Sequence, residues 1–343
     1  MDFDDENQQP METSNSMVYE QQSSANADHP DATTSKTTPG AASSTSEGAK
    51  SKSKATGSGF SSAEAAAGFM QTPWDPFQCN DTWSPSQTCL RRVKRDLTTF
   101  YREPPHGIFL VPDENKLTLL HALVVGPYET PYEGGFFYFV IQCPSDYPMK
   151  PPRVRLLTTG DDTVRFNPNL YRNGKVCLSI LGTWSGPSWS PSQSLGCVLV
   201  SIQSLLSERP YHNEPGFEKE AAPGDADTYN RIIAHETVRV AVLEMLEEPG
   251  CSARRRCPSS LLEMMRDSYP QFSDHYHSVC DELIRQGLQG QQMADPFQEK
   301  RGRFDPEGLK RRLVALDKRL IGDRKQEEQQ KEEAAAADEE MKE

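Results

Sequence analysis

From residue 88 onward the apolar positions of this chain alternate between two periods. Thr88 to Tyr101 spaces Leu90, Val93, Leu97, Phe100 and Tyr101 along one face of a helix, and Pro104-Pro105 stops it. Short runs rich in β-branched and aromatic residues follow at Ile108 to Val111, Leu117 to Val125, Phe136 to Gln142 and Val154 to Leu157. Turn-forming Pro-Asp-Glu-Asn, Gly-Pro…Glu-Gly-Gly and Pro-Ser-Asp-Tyr-Pro divide them. Four strands with no helix between them predict an antiparallel meander. The helical period returns at Leu195 to Leu206, Thr228 to Leu246, Leu261 to Gln286 and Pro306 to Leu320. Helix, four strands, helices is an α+β plan.

At both ends the periods disappear. Residues 1 to about 70 are Ser, Thr, Ala, Gly, Gln and Asn with hardly an aliphatic residue, too little apolar area to offset the entropy of ordering them. The expected organisation is a disordered acidic tail over 1–84, a folded α+β domain over 85–240, a helical extension over 241–324 packed on that domain, and an acidic tail over 325–343. Lys50, Lys52 and Lys54 read as solvated charge in a Ser-rich tail, with a targeting signal as the alternative.

Composition sharpens this picture. Only 35% of the 343 residues are hydrophobic and the net charge is -13, which argues against broad nucleic-acid binding. No apolar run approaches the ~18 residues of a membrane span, and the N-terminus is acidic and polar where a signal peptide is basic then apolar. The expectation is a soluble intracellular monomer with no membrane partner. Eight cysteines lie without the dense spacing of a secreted scaffold, so reduced thiols are expected and any one of them is a candidate nucleophile. Cys251, Cys257, His275, His277 and Cys280 invite a zinc reading, but their spacing would point ligands to different faces of a helix, and no metal is expected.

Phe166 to Leu181 (FNPNLYRNGKVCLSIL) holds the most informative chemistry. Turn formers Pro168, Asn169, Asn173 and Gly174 put Cys177 just past a tight loop, where a thiol can be presented as a nucleophile. A buried small hydrophobe between Val176 and Leu178 is the alternative. Trp184, Gly186, Pro187 and Trp189 suggest a second ordered loop over the same place.

GPYETPYEGGFF at 126 to 137, YPMKPPRVR at 147 to 155, NPN at 167 to 169, GKVCLSIL at 174 to 181 and WSP at 189 to 191 stand in a particular order and spacing. In these the chain resembles ubiquitin-conjugating (E2) enzymes from about Pro85 to Val240. GTWSGPSWSP, PYHNEPGF and Ala294-Asp295-Pro296-Phe297 with EKRGRFD extend the resemblance, to a longer member of the family, over most of the rest.

The resemblance implies the ubiquitin-conjugating (UBC) fold, with Cys177 forming a thioester by transfer from an E1 enzyme and a substrate lysine then attacking it. Asn169 matches the asparagine of the family's His-Pro-Asn motif, an oxyanion donor or loop brace. Asn167 stands where the histidine belongs, a departure that bears on loop packing more than on catalysis, with Pro168 between them. Ser179 occupies a position that is often acidic. In the loop after the next helix Glu214 is the matching carboxylate gate, His212 and Asn213 are neighbouring candidates, and Tyr211 is expected to wall the site; Asn167, Pro168, Tyr211 and Trp189 are expected to be structural there.

Partner surfaces follow the same mapping. Arg91, Arg92, Lys94 and Arg95 resemble the helix offered to E1 and E3 enzymes, and Met149 with Pro191 and Ser192 match the loops that meet E3 ligases. No tightly bound cofactor is implied, because the pathway's ATP is used by the E1. The longer relative implies an alternative E1, a second, tandem ubiquitin-like modifier besides ubiquitin, and residence in cytoplasm and nucleus. A catalytically silent E2-like scaffold is the competing class; a cysteine hydrolase with His212 as base is a third.

Overall fold

The computed structural model describes residues 74–78 and 84–322. The first helix, α1 (Gln87–Arg102), begins where the Ser86 hydroxyl accepts the Cys89 amide at 3.0 Å, and it buries Cys89, Val93, Leu97 and Phe100. Four strands follow, β1 (Ile108–Pro112), β2 (Leu119–Val125), β3 (Phe136–Gln142) and β4 (Arg153–Leu156), all antiparallel and adjacent in chain order. This is the meander expected from the alternation of strands and turns, within an α+β chain.

Strand β3 (FFYFVIQ) is buried on both faces, so its hydrophobic run is continuous where a half-exposed strand would alternate. Phe137, Phe139 and Ile141 join Leu120, Ala122 and Val124 in a core with α1, α2 (Leu195–Gln203) and Tyr229, Ile233 of α3 (Asp225–Glu236). Phe136, Tyr138 and Val140 point the other way, with Leu123 and Val125. They meet α4 (Ser252–Arg256), α5 (Ser259–Arg285) and the helical residues 306–322 of α6. Helix α3 runs on through a π-helical turn (Thr237–Leu243) and a last turn, Glu244–Leu246, a change of winding that no sequence period announced. The extension therefore folds back on the sheet, with Leu261, Met265, Phe272 and Tyr276 against its outer face.

Gly134 shows how closely the extension seats. Its φ is +69°, and a Cβ there would stand 2.7 Å from the Phe272 ring, while the Tyr276 hydroxyl donates to its carbonyl at 2.8 Å. The candidate zinc residues disperse. Cys257 and Cys280 pack into the outer core, Cys251 faces Met245, His275 pairs with Glu133 at 3.4 Å and His277 with Asp317 at 2.7 Å. Among the described residues no three His, Cys, Asp or Glu side chains gather into a metal site, and no helix is long and apolar enough to cross a membrane.

Of the expected tail over 1–84 only Trp74–Gln78 and Ser84 are described; residues 1–73 with the Lys50, Lys52, Lys54 cluster, 79–83 and 323–343 lie outside the described residues. Asp75 is buried, accepts the Phe77 amide at 2.9 Å and pairs with Arg155 at 2.7 Å, and the Arg155 and Arg256 guanidiniums lie over the Phe77 ring at 5.7 and 5.0 Å. Trp74 lines a groove of about 280 Å³ with Pro151, Pro152, Val154 and Leu181. A five-residue segment is held here by specific partners, which an average of composition over 84 residues conceals. Its Asp-Pro-Phe-Gln recurs at 295–298 with the same geometry. There the Asp295 carboxylate accepts the Phe297 amide at 2.7 Å and pairs with Arg301 at 2.7 Å.

Candidate active site

Two turns build the surroundings of Cys177. Gly174, with φ +85°, closes the Asn173-Gly174 turn; a Cβ there would lie 2.3 Å from the Leu156 carbonyl oxygen, so the chain can pass the end of β4 only as glycine. Val176 to Leu178 then runs beside Asn167 to Leu170, with the Cys177 amide donating to the Asn169 carbonyl at 2.9 Å. Asn169 Nδ2 donates to the Cys177 carbonyl at 3.0 Å, so the two residues are braced to each other twice. Thr183 closes the far side. Its hydroxyl donates to Val176 O at 2.6 Å and accepts the Leu178 amide at 3.0 Å, which folds the start of the 182–188 loop onto the cysteine's neighbours.

Asn167 packs the loop that a histidine would otherwise pack. Its side-chain amide donates to the Tyr132 hydroxyl at 3.0 Å and to Leu205 O at 2.8 Å, and its carbonyl oxygen accepts the Asn169 amide at 2.9 Å. Asn213 Nδ2 approaches the same oxygen at 3.4 Å, tying the NPN turn to the loop after α2. Pro168 is buried and its carbonyl accepts Arg165 Nη2 at 2.6 Å.

Cys177 is 2% exposed, and burial pushes its thiol up to about 11; the cations Lys175 and Arg165 oppose that rise and the Glu214 carboxylate adds to it. The sequence left open whether Cys177 is a packed residue or a presented one, and this thiol is both buried and flanked by charged groups that act on it. Glu214 ends a short 3₁₀ turn (Pro210–Asn213) and is held by Arg165, Nη2 to Oε2 at 3.1 Å. It lies near enough to Cys177 for its charge to act on the thiol. His212 turns away, its Nδ1–H donating to the Phe217 carbonyl at 2.8 Å.

Two side chains expected to be structural at the site lie in the loops around it. Tyr211 is wholly buried beneath its loop, stacked on Phe297 at 5.1 Å, and its hydroxyl accepts the Ala221 amide at 3.0 Å. Trp189 braces a neighbouring loop, its indole N–H donating to Pro148 O at 2.6 Å beside the 71% exposed Met149. Of the four α1 cations expected to meet partners, Arg91, Lys94 and Arg95 face outward, whereas Arg92 is engaged within the chain. It pairs with Asp96 at 2.8 Å and donates to Pro191 O at 2.6 Å and to Gln193 O, fixing the exposed Pro191 and Ser192 against the helix.

The ubiquitin-conjugating enzyme model matches residues 92–224, the span that carries β1 to β4, the NPN turn, Cys177 and Glu214. The chain is 56% identical over 263 residues to ubiquitin-conjugating enzyme E2 Z of Danio rerio, covering 75% of this chain and 78% of that one. This chain belongs to the ubiquitin-conjugating enzyme (E2) family. The E2 is also similar to ubiquitin-conjugating enzyme E2 Z of Homo sapiens, 53% identical over 263 residues, 76% of this chain and 72% of the relative. A shorter match joins it to the dual E2 ubiquitin-conjugating enzyme/E3 ubiquitin-protein ligase BIRC6 of Homo sapiens, 43% identical over 173 residues, 47% of this chain and 4% of that one. Membership makes it a transferase of ubiquitin conjugation, a pathway whose other components are E1 enzymes, ubiquitin and E3 ligases.

Arg165, Thr183, Glu299 and Arg301 surround the site without having been singled out in the sequence. Only Arg301 had a local signal, the Asp-Pro-Phe-Gln tetrapeptide that precedes it and repeats the one at 75–78.

Proposed function

We propose that this E2 carries its modifier as a thioester on Cys177. The Cys177 thiolate attacks the thioester carbonyl of a charged E1 and the E1 thiolate leaves. A substrate lysine amine then attacks the new thioester, loses a proton as the amide forms, and Cys177 leaves as thiolate. ATP is spent at the E1, so the chain itself needs no cofactor. Asn169 keeps Cys177 in register through the main-chain carbonyl and is the amide assigned to the developing oxyanion, while Glu214, whose charge acts on the thiol, is the carboxylate assigned to the incoming amine, with His212 its neighbour in the 3₁₀ turn. The carrying observation is the reciprocal Asn169–Cys177 bracing with Glu214 acting on the same thiol.

Similarity to E2 Z supports the alternative E1, a tandem ubiquitin-like modifier as second cargo, and work in cytoplasm and nucleus as a monomer with an E3 ligase. Outward-facing Arg91, Lys94 and Arg95 supply a basic face for E1, and Met149 with Pro191 and Ser192 an E3 surface. The test is charging against a panel of E1 enzymes and modifiers. An E1- and ATP-dependent adduct that a thiol reductant removes is expected, and Cys177→Ser is expected to give an oxyester that survives reduction. Failure to charge with every E1 in the panel sinks the thioester reading and favours a silent scaffold.

A further inference from the structure

Arg165 lies at the centre of a group of charges that links the NPN segment and the Glu214 loop to the C-terminal extension. Its Nη2 donates to Pro168 O at 2.6 Å and to Glu214 Oε2 at 3.1 Å, and its Nη1 to Glu299 Oε1 at 3.3 Å. The guanidinium also rests on the Tyr171 ring at 4.5 Å. Its main chain is fixed as well, because Arg301 Nη2 donates to the Arg165 carbonyl at 2.9 Å while Arg301 Nε is paired with Asp295, both side chains being nearly inaccessible. Phe297, two residues after Asp295, stacks on Tyr211 in the loop that bears Glu214. The extension thus grips the NPN segment at Arg165 and the Glu214 loop at Tyr211.

We propose that Arg165 is a positioning residue for the transfer step, and that the extension, through Glu299, Arg301 and Phe297, holds Arg165 and the Glu214 loop so that one carboxylate oxygen faces the Cys177 thioester. The inference rests on the reading that Cys177 carries the modifier and Glu214 meets the incoming amine.

Three features support it. An isolated ion pair needs no more than one acceptor, yet this fork is divided among a carbonyl and two carboxylates from three parts of the chain, a geometry a lysine cannot reproduce. Only Oε2 of Glu214 is engaged; among the described residues Oε1 accepts no hydrogen bond and is left for an amine. Arg165 and Glu214 also act on the thiol with opposite sign, the cation favouring and the carboxylate opposing the thiolate, and with Lys175 they are the charged groups that face it.

The closing experiment uses the full chain and two readouts. In the uncharged protein, peptide-resolved alkylation of Cys177 by iodoacetamide at pH 8 is expected to slow about two- to threefold in Arg165→Gln and to quicken by a similar factor in Glu214→Gln, since the cation favours the thiolate and the carboxylate opposes it. Shifts in the same direction, the mark of simple loosening, overturn the inference. In the charged protein, discharge to free lysine is expected to fall at least tenfold in Arg165→Gln, whereas charging falls no more than the alkylation rate.

Arg165→Lys keeps the cation and loses the fork. It is expected to restore alkylation and to leave discharge about fivefold or more below wild type, and it serves alone if Arg165→Gln does not fold. Wild-type discharge in both variants overturns the proposal. If the wild-type chain charges with no E1, the thioester reading fails by itself, while the opposed alkylation shifts still report whether Arg165 and Glu214 are arranged around the thiol.

Discussion

Asn167 does with one amide what the family assigns to histidine, and the difference lies in the number of groups served. A planar amide has two donors and an acceptor with two lone pairs; here they reach Tyr132, Leu205, Asn169 and Asn213. Neutral imidazole offers one donor and one acceptor. Asn167→Ala strands the buried Asn169 amide and removes a donor from Tyr132, while Leu205 O keeps Asn213 Nδ2 at 3.2 Å; urea unfolding should show a loss of about 1–3 kcal/mol, with slower thioester formation. Asn167→His should recover about half of that loss; a change under about 0.5 kcal/mol in the alanine variant would falsify the assignment. Cys177, Asn169 and Asn167 were legible because motif and spacing place them within eleven residues of one another. Arg165 was not, because one charge inside an apolar run has no period and its partners Glu214 and Glu299 lie 49 and 134 residues away. Tyr211 and Trp189 were legible as residues of the loops around the site, but the partners they take, Phe297 and Pro148 O, were not, since sequence does not say which side of a loop a ring takes.

Strands and helices, by contrast, follow from period alone. All four strands and the five helices expected from apolar spacing are present, with ends displaced by a few residues. What the pattern omits are segments held by a few polar contacts. The two Asp-Pro-Phe-Gln turns are such segments, and their surroundings order their worth. Asp295 and Arg301 are almost wholly buried, so Asp295→Ala leaves a guanidinium without its partner in a dry site, at a cost of roughly 3–5 kcal/mol. Arg155, the partner of Asp75, is 23% exposed and has Asp162 at 4.0 Å as a second carboxylate, so Asp75→Ala should cost only about 1 kcal/mol. Denaturant titration of the two variants checks the order, and equal losses would show that burial of the clip does not set its strength. Asp295→Ala should also slow discharge to lysine, because it frees the segment that grips Arg165, whereas Asp75 pairs with Arg155 and not with the residues that grip Arg165.

At the scale of the molecule, the net charge of -13 is unevenly placed, being carried by the ends of the sequence. A nearly neutral centre is compatible with close packing, and all described residues fall in one compact unit. The reason is the sheet's outer face. Leu123, Val125, Phe136, Tyr138 and Val140 are buried there under Met265, Tyr269, Phe272 and Tyr276 of α5 and Leu313 of α6. Burying five such side chains contributes roughly 10 kcal/mol at about 1.5–3 kcal/mol each, comparable to the whole stability of a typical domain, about 5–15 kcal/mol. The catalytic span and the extension should therefore unfold together, in a single calorimetric transition, and residues 74–250 expressed alone should aggregate through the uncovered face. Two separated transitions, or a soluble 74–250 fragment with native near-ultraviolet dichroism, would mean that the sheet is stable without its cover. In that case the extension's hold on Arg165 and the Glu214 loop would be an addition to a finished enzyme; a single transition makes it part of how the active site comes to exist.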